Sequence, residues 1–416
     1  MGIVKNLELI SGNECSLYIH IPFCLQKCDY CAFYSLSDSA HLYSKYIDVL
    51  LFDIKSQIDF FSVSHIPTIY IGGGTPSLLP AHYMERFLSA LTDMLPNKPH
   101  EWTVEVNPET VTEDFLRVCA EYGVTRISAG IQTMHEPSRK ALGRMGETAR
   151  IRQSLDNIIR YFGQNFSVDI ISGLPYSNKR ILENDIHYLA SLGAVNVSLY
   201  DLTIEKDTPL YNKEKKGFPG LPGQDEACEL WLFGRDLLIQ NGYRQYEVSN
   251  FSRDGFCCEH NLRYWRMQNW LGAGPSASGT IIYGNGKLGE GKRYTGLSDA
   301  AFYTAVSLTS NPHIPFVHRP LYKHETLSRA VLIEESIFMG FRTTYGPDER
   351  LFEQRFGCAL AGFIPQTIEV WHDKGLLRPS NPLALTIDGL AFLNRFLNEA
   401  LLELSDHTPY KRLIVR

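Results

Sequence analysis

The 416-residue sequence has no run of apolar residues long enough to cross a bilayer, which argues against a transmembrane protein. It has no basic excess: the net charge is -6, so no electrostatic pull towards nucleic acid or an anionic membrane is built in. It lacks a disulfide framework, because its nine cysteines are odd in number and mostly scattered (Cys15, Cys119, Cys228, Cys358). The first residues carry Glu8 and Glu14 and no continuous apolar stretch, against a signal peptide. There is no low-complexity tract. Together these absences point to a reducing, cytoplasmic setting and to thiols used for metal binding.

What is present begins with alternation. Short apolar runs at Ser16–Phe23, Thr68–Gly74, Trp102–Pro108, Arg126–Gln132, Ser167–Pro175 and Val195–Ile204 read as strands. Most are separated by stretches with helical spacing, such as "YSKYIDVLLFDIKSQI". Repeated β–α units imply a parallel α/β sheet, doubly wound or curled into a full or partial barrel. Lys213–Gln224 is expected to be a loop, and "TIIYGNGKLGEGKRYTG" a hairpin turning at Gly284–Gly286. From Leu321 the pattern changes to helices with a small hairpin in "GLLRPSNPLALTIDG", a second domain of winged-helix character. That part holds 11 Lys or Arg against 12 Asp or Glu, so it lacks the footprint of a DNA reader.

The unusual residues fall at one end of the strands. Cys24, Gly72–Thr75, Glu105, Gln132 and Asp169 all lie at or near strand C-termini, the rim where parallel α/β proteins bind ligands. Each alone reads as a turn or a cap; their coincidence on one rim describes one site. Within "HIPFCLQKCDYCAFYS" the cysteines Cys24, Cys28 and Cys31 are four and then three apart. Soft thiolates suit a four-iron cluster, which three of them would leave with one open iron. Zinc is the competitor; it needs a fourth ligand, for which His20 or Cys15 would have to serve, and no second cysteine pair follows. Phe23, Tyr30 and Phe33 are expected to shield this loop from water.

Cys-x3-Cys-x2-Cys with Tyr30 before the last cysteine resembles the signature of the radical S-adenosylmethionine (SAM) superfamily. In that superfamily the open iron of a [4Fe-4S] cluster binds the amino and carboxylate groups of SAM. An electron from the cluster then cleaves the sulfonium to a 5′-deoxyadenosyl radical. The motifs "YIHIPFC", "GGGTPS", "EVNPE", "GIQ", "LGR", "SGLP" and "SLYDLTIE", with "EESIFMGFR" further on, resemble in order the branch that holds oxygen-independent coproporphyrinogen III dehydrogenase (HemN) and the HemW haem chaperones. The resemblance implies an α/β fold, a radical SAM partial (β/α)6-type barrel with a small helical, winged-helix-like C-terminal domain. It also implies a division into a core (1–250), a haem or substrate loop and hairpin region (251–320) and a HemN-like helical domain (321–416). Tyr18, Gly73, Gly74, Thr75, Glu105, Gln132, Arg144 and Asp169 then fall on SAM-binding positions, with Cys24, Cys28 and Cys31 on the cluster.

Three features separate the members of the branch. The dehydrogenase has a fourth cysteine where this chain has Phe33, and an arm before the first strand that is nearly missing here. His260-Asn261-x-x-Tyr264-Trp265 resembles the H-N-x-x-Y-W motif of HemW. It implies haem contact through His260, Tyr264 and Trp265, with Cys258 as a further ligand or attachment point; the other reading is a buried His–Asn pair that holds a loop. Relatives commonly carry His where this chain has Ser278. The implied activity is haem carriage to an acceptor protein, with a reductant protein as a further partner and no nucleic acid. The alternative is a radical SAM enzyme of porphyrin biosynthesis, such as the dehydrogenase itself. RNA modification would call for a basic patch or an added RNA-binding module, and neither is evident in the sequence.

Overall fold

A computed structural model describes residues 13–144, 146–283, 290–307, 321–380 and 382–406. Residues 1–12 and the hairpin turn at Gly284–Gly286 lie outside the described residues. All six expected strands form, within a residue or three of the expected bounds: β1 (Ser16–Ile21), β2 (Thr68–Gly73), β3 (Glu101–Val106), β4 (Arg126–Gln132), β5 (Phe166–Ser172) and β6 (Asn196–Asp201). Each pairs in parallel with the next. Their cores are nearly continuous apolar runs, such as Ile69-Tyr70-Ile71 and Ile170-Ile171, because both faces of a parallel sheet are covered.

The intervening helices are α1 (Tyr43–Phe60), α2 (Ala81–Met94), α3 (Glu113–Glu121), the consecutive α4 (Glu136–Ala141) and α5 (Thr148–Phe162), and α6 (Lys179–Ser191). Caps set two of the starts: Thr112 accepts from the Phe115 N–H at 3.2 Å, and Asn178 from the Ile181 N–H at 3.1 Å. Ile19, Ile71, Val104, Ile127, Val168 and Leu199 of the strands pack with Leu50, Phe87 and Phe115 of the helices in one large buried core.

The sheet does not close. β6 is continued by the short antiparallel β8 (Asn250–Ser252) and β7 (Arg244–Gln245) rather than by β1. β1 instead pairs in parallel with β9 (Trp270–Ala273), and antiparallel β10 (Ser278–Tyr283), β11 (Glu290–Gly296) and β12 (Tyr322–Leu327) extend that edge. Six β–α units in an open curl form the expected partial barrel.

After β6 come α7 (Pro209–Lys215) and α8 (Gln224–Gln240). The expected loop at Lys213–Gln224 is therefore shorter: Lys213–Lys215 end a helix and Gln224 opens the next. Thr208 caps α7 by accepting from the Tyr211 N–H at 3.2 Å, with Pro209 in its first turn. Next are α9 (Glu259–Trp265) and α10 (Ala300–Ser307), then α11 (Arg329–Gly340), α12 (Glu349–Phe356), α13 (Pro365–Asp373), α14 (Ile387–Leu390) and α15 (Leu393–Asp406). The last five surround a second apolar core in which Phe396 lies 4.6 Å from the Phe341 ring and 5.1 Å from that of Trp371. The expected small hairpin is there as β13 (Leu377–Arg378) against β14 (Ala384–Leu385). Among the described residues no helix is long and apolar enough to cross a membrane.

Candidate functional site

A cavity of about 500 Å³ opens at the C-terminal rim of the barrel strands. Its wall includes Cys24, Cys28 and Cys31 from the loop after β1, Gly73, Gly74 and Thr75 after β2, Glu105 of β3, Gln132 of β4, Arg144 and Asp169 of β5. The structure thus gathers every expected cluster and SAM residue except Tyr18, and every expected rim residue except Gly72. Tyr18 stays inside the barrel, stacked 6.3 Å from Tyr70, with its hydroxyl 3.1 Å from His20 Nδ1. Ser128, Asn107, Tyr200, Asp201 and Glu205 also line the cavity and were missed. For Tyr200, Asp201 and Glu205 the signal existed, since they sit in the "SLYDLTIE" stretch at the end of the sixth strand.

The glycine edge is built for close approach. Gly73 has φ +111°, and a Cβ there would lie 2.6 Å from the His20 ring. Its N–H donates to Glu105 Oε2 at 3.2 Å, and the Tyr70 hydroxyl donates to Glu105 Oε1 at 2.8 Å. Gln132 holds φ +68° where the β4–β5 register slips, a strained position for a side chain other than glycine. The cysteine loop is moored at several points. Asp29 receives the Leu210 N–H through its carbonyl at 2.8 Å and pairs with Lys213 through its carboxylate at 2.5 Å. Arg144 donates to the Tyr30 hydroxyl at 3.3 Å and to the Gly130 carbonyl at 2.9 Å, tying this loop to β4. Its Nε lies 3.4 Å from Glu109, which also pairs with Arg139.

Charge in the cavity is finely poised. Burial pushes Glu105 up to about 7, against the hydrogen bonds from Tyr70 and Gly73, with Asp169 adding to the rise. Burial raises Asp169 too, offset by bonds from Ser198 and Ser128 and by Arg126 and Arg144. Burial opposes the charge on Arg144, but Tyr30, Cys28 and Glu109 outweigh it and its pKa is raised. Burial raises the Cys28 and Cys31 thiols, with Arg144 pulling both back.

All three loop cysteines are free thiols and partly exposed to the cavity. Among the described residues no three His, Cys, Asp or Glu side chains converge on a single metal point. A cubane spreads its thiolates over separate irons, so three thiols set around a cavity fit that group without such convergence. The shielding expected of the aromatics is partial. Phe23 is buried against Tyr43 and Tyr46 in the main core, Tyr30 backs the loop, and Phe33 is 70% exposed.

The other motif lies at the opposite end of the barrel. Glu101, the first residue of β3, accepts the backbone N–H groups of Glu259 and His260, each at 2.8 Å, and so fastens the start of α9 across the strand N-termini. His260 is fully buried. Its Nδ1 is 2.8 Å from the hydroxyl of Thr68, the first residue of β2, which in turn meets Ser16 of β1 at 2.7 Å. Its Nε2 is 2.7 Å from the Tyr264 hydroxyl. Burial, with Arg263 adding, pushes His260 down to about 3, so the ring is neutral with both nitrogens engaged. Cys258 is likewise sealed, 3.5 Å from Glu101, and burial raises its thiol. Tyr264 packs edge-on against Trp270 at 4.9 Å, and Trp265 is half-buried. As folded here, His260 and Cys258 are sealed within the barrel floor, with both ring nitrogens of His260 engaged.

Comparison with known proteins sets the class first. The model of the radical SAM superfamily matches residues 18–189, the stretch that carries the cysteine loop and five of the six parallel strands. Coproporphyrinogen III oxidase (HemN) from Escherichia coli, a radical SAM enzyme, superposes with a TM-score of 0.75 over 93% of this chain and 90% of that one. At 19% identity this likeness concerns the fold alone.

Within the class, the Heme chaperone HemW of Lactococcus lactis is 31% identical over 390 residues, covering 93% of this chain and 97% of its own. That of Bacillus subtilis is 30% identical over 369 residues, covering 88% and 93%. The chain belongs to the HemW family.

Proposed function

We propose that the protein is a haem chaperone that binds haem, a [4Fe-4S] cluster and SAM, and passes haem to acceptor proteins in the cytoplasm. The observation that carries the reading is the likeness to HemW chaperones over nearly the whole of both chains. The rim cavity supports the cofactor part, since its donors suit both groups. Cys24, Cys28 and Cys31 would hold the cluster, whose open iron and available electron are the chemistry that the bound group supplies. The strand edge at Gly73, Gly74 and Thr75 would receive the amino end of SAM. Glu105 and Asp169 would accept from its ammonium and ribose hydroxyls, and Gln132 would offer an amide. Arg144 has guanidinium donors to spare for its carboxylate. Tyr18 acts from behind the wall, by packing on Tyr70, which holds Glu105.

A reductant protein is the proposed electron source. Leu25 and Phe33, 72% and 70% exposed beside the cysteine loop, support its docking there. The acceptor is proposed only as a haem protein. The division into 1–250, 251–320 and 321–416 is proposed on the same footing. The separate apolar core of the C-terminal helices supports it, while β12 interlocks the third part with the large sheet. The coproporphyrinogen dehydrogenase alternative is not favoured, because the near-full-length relatives are HemW chaperones.

The test is anaerobic reconstitution with iron and sulfide, then titration with haem and transfer to an apo-haem protein. The reading expects about one haem per chain and loss of it to the acceptor, with no loss of carboxyl groups from coproporphyrinogen. Absence of haem binding would defeat it.

A further inference from the structure

The floor motif is sealed as folded, whereas open concave surface lies elsewhere. A second cleft of about 700 Å³ runs between the end of β6 and the start of α15, lined by Tyr200, Trp231, Phe392, Arg342 and Arg395 among others. We infer that haem rides in this cleft, its macrocycle against the aromatic side chains and its two propionates gripped by Arg342 and Arg395. The inference rests on the haem-chaperone reading and names the site that reading lacks.

Three observations carry it. The first is size and surface. The volume lies within the range of small-molecule sites, and Tyr200 and Phe392 stand 41% and 52% exposed on its wall, which Leu390 and Leu393 also line. Large rings left open to water within a concave surface are what a flat apolar ligand covers.

The second is charge. Arg342 lies with its guanidinium 3.7 Å from the Phe338 ring centroid, and Arg395 is bonded to Glu399 at 2.9 Å. Both present planar donor forks that match carboxylates. Asp201 is the carboxylate on the same lining, and it sits at the β6 end, on the strand side of the cleft. Two arginines and several aromatic rings on one lining match an amphipathic macrocycle with two acid arms.

The third is position. Tyr200, Asp201 and Thr203 line both this cleft and the rim cavity, so the two share a wall. A haem seated there would lie beside the proposed cluster and SAM site, whereas the floor motif lies at the far end of the barrel. No His, Cys or Met lines the cleft. The grip is on faces and propionates rather than on iron, so release breaks no strong axial bond, as handing on a cargo requires.

The experiment uses the full chain, reconstituted anaerobically and titrated with haem, with the haem absorption and Trp fluorescence as readouts. The double variant Arg342→Gln/Arg395→Gln is expected to bind haem about tenfold or more weakly, the size of one lost charge-assisted contact. Asn394→Trp, on the exposed lip, is expected to close the cleft and lower affinity further. Both should keep the cluster absorption and SAM binding of the wild type. Arg86→Gln, at an exposed arginine on α2, should leave affinity unchanged. Wild-type affinity in the arginine double variant and in a folded Asn394→Trp would overturn the site while leaving the chaperone reading intact. An equal loss in Arg86→Gln would also overturn it, by showing that general charge sets affinity. A wild type that binds no haem would overturn the chaperone reading itself.

Discussion

Replacing His260 with Ala separates the two roles its motif could play. The imidazole makes two buried hydrogen bonds, to Thr68 and to Tyr264, and fills the space beside the Tyr70 ring, 5.3 Å away. Two such bonds contribute roughly 2 kcal/mol net. The Thr68 hydroxyl keeps Ser16 as a partner, but Tyr264 would lose the one bond described for its hydroxyl, which costs about 1 kcal/mol more. The void left by the ring adds about 1 to 2 kcal/mol. The sum is roughly 4 to 5 kcal/mol, which lowers the melting temperature of a chain this long by about 5 °C. The assay is thermal and urea unfolding of the apoprotein followed by circular dichroism, alongside haem titration below the transition. His260→Gln, which can keep one of the two bonds, should recover part of the loss. An apoprotein of His260→Ala that melts with the wild type yet has lost its haem bands would refute the floor assignment and return His260 to the iron.

The rim makes its own predictions. Replacing any of Cys24, Cys28 and Cys31 with Ala should abolish the brown cluster absorption yet leave the apoprotein melting near the wild type, because these thiols are half-exposed and outside the core. Gly73→Ala should weaken SAM binding at least tenfold by equilibrium dialysis, because its Cβ meets the His20 ring and φ +111° is strained for alanine. SAM affinity should rise between pH 6 and 8. Glu105, raised to about 7, is mostly protonated at the lower pH and mostly a carboxylate at the higher, and only the carboxylate attracts the SAM ammonium. Glu105→Gln should flatten that profile, and an unchanged profile would remove Glu105 from the site.

The parallel strands were legible because burial on both faces writes them as short apolar runs, closed by residues such as Gly73 or Gln132 that the next turn needs. The rim was legible for the same reason: once Cys24, Glu105 and Asp169 are placed at strand ends, a parallel topology brings them to one side. Tyr18 escaped because strand alternation decides whether a side chain faces the barrel, not whether it reaches the cavity. Phe33 shows a similar limit, since an aromatic beside a cysteine is compatible with both shielding and exposure. The role of α9 depends on Glu101, which lies 158 residues away from Glu259 in the chain and yet anchors its N–H. No local pattern records that bond. The cleft at Arg342 and Phe392 joins β6 to helices more than 140 residues later, and it too arises only on folding.

On the proposed reading, Cys24, Cys28 and Cys31 would hold an iron–sulfur cube at the rim with one iron left for SAM. Anaerobically reconstituted protein should contain about four irons and four sulfides per chain, and its reduced paramagnetic resonance spectrum should shift when SAM is added. Stoichiometric zinc in place of iron, or a cluster whose spectrum ignores SAM, would contradict it.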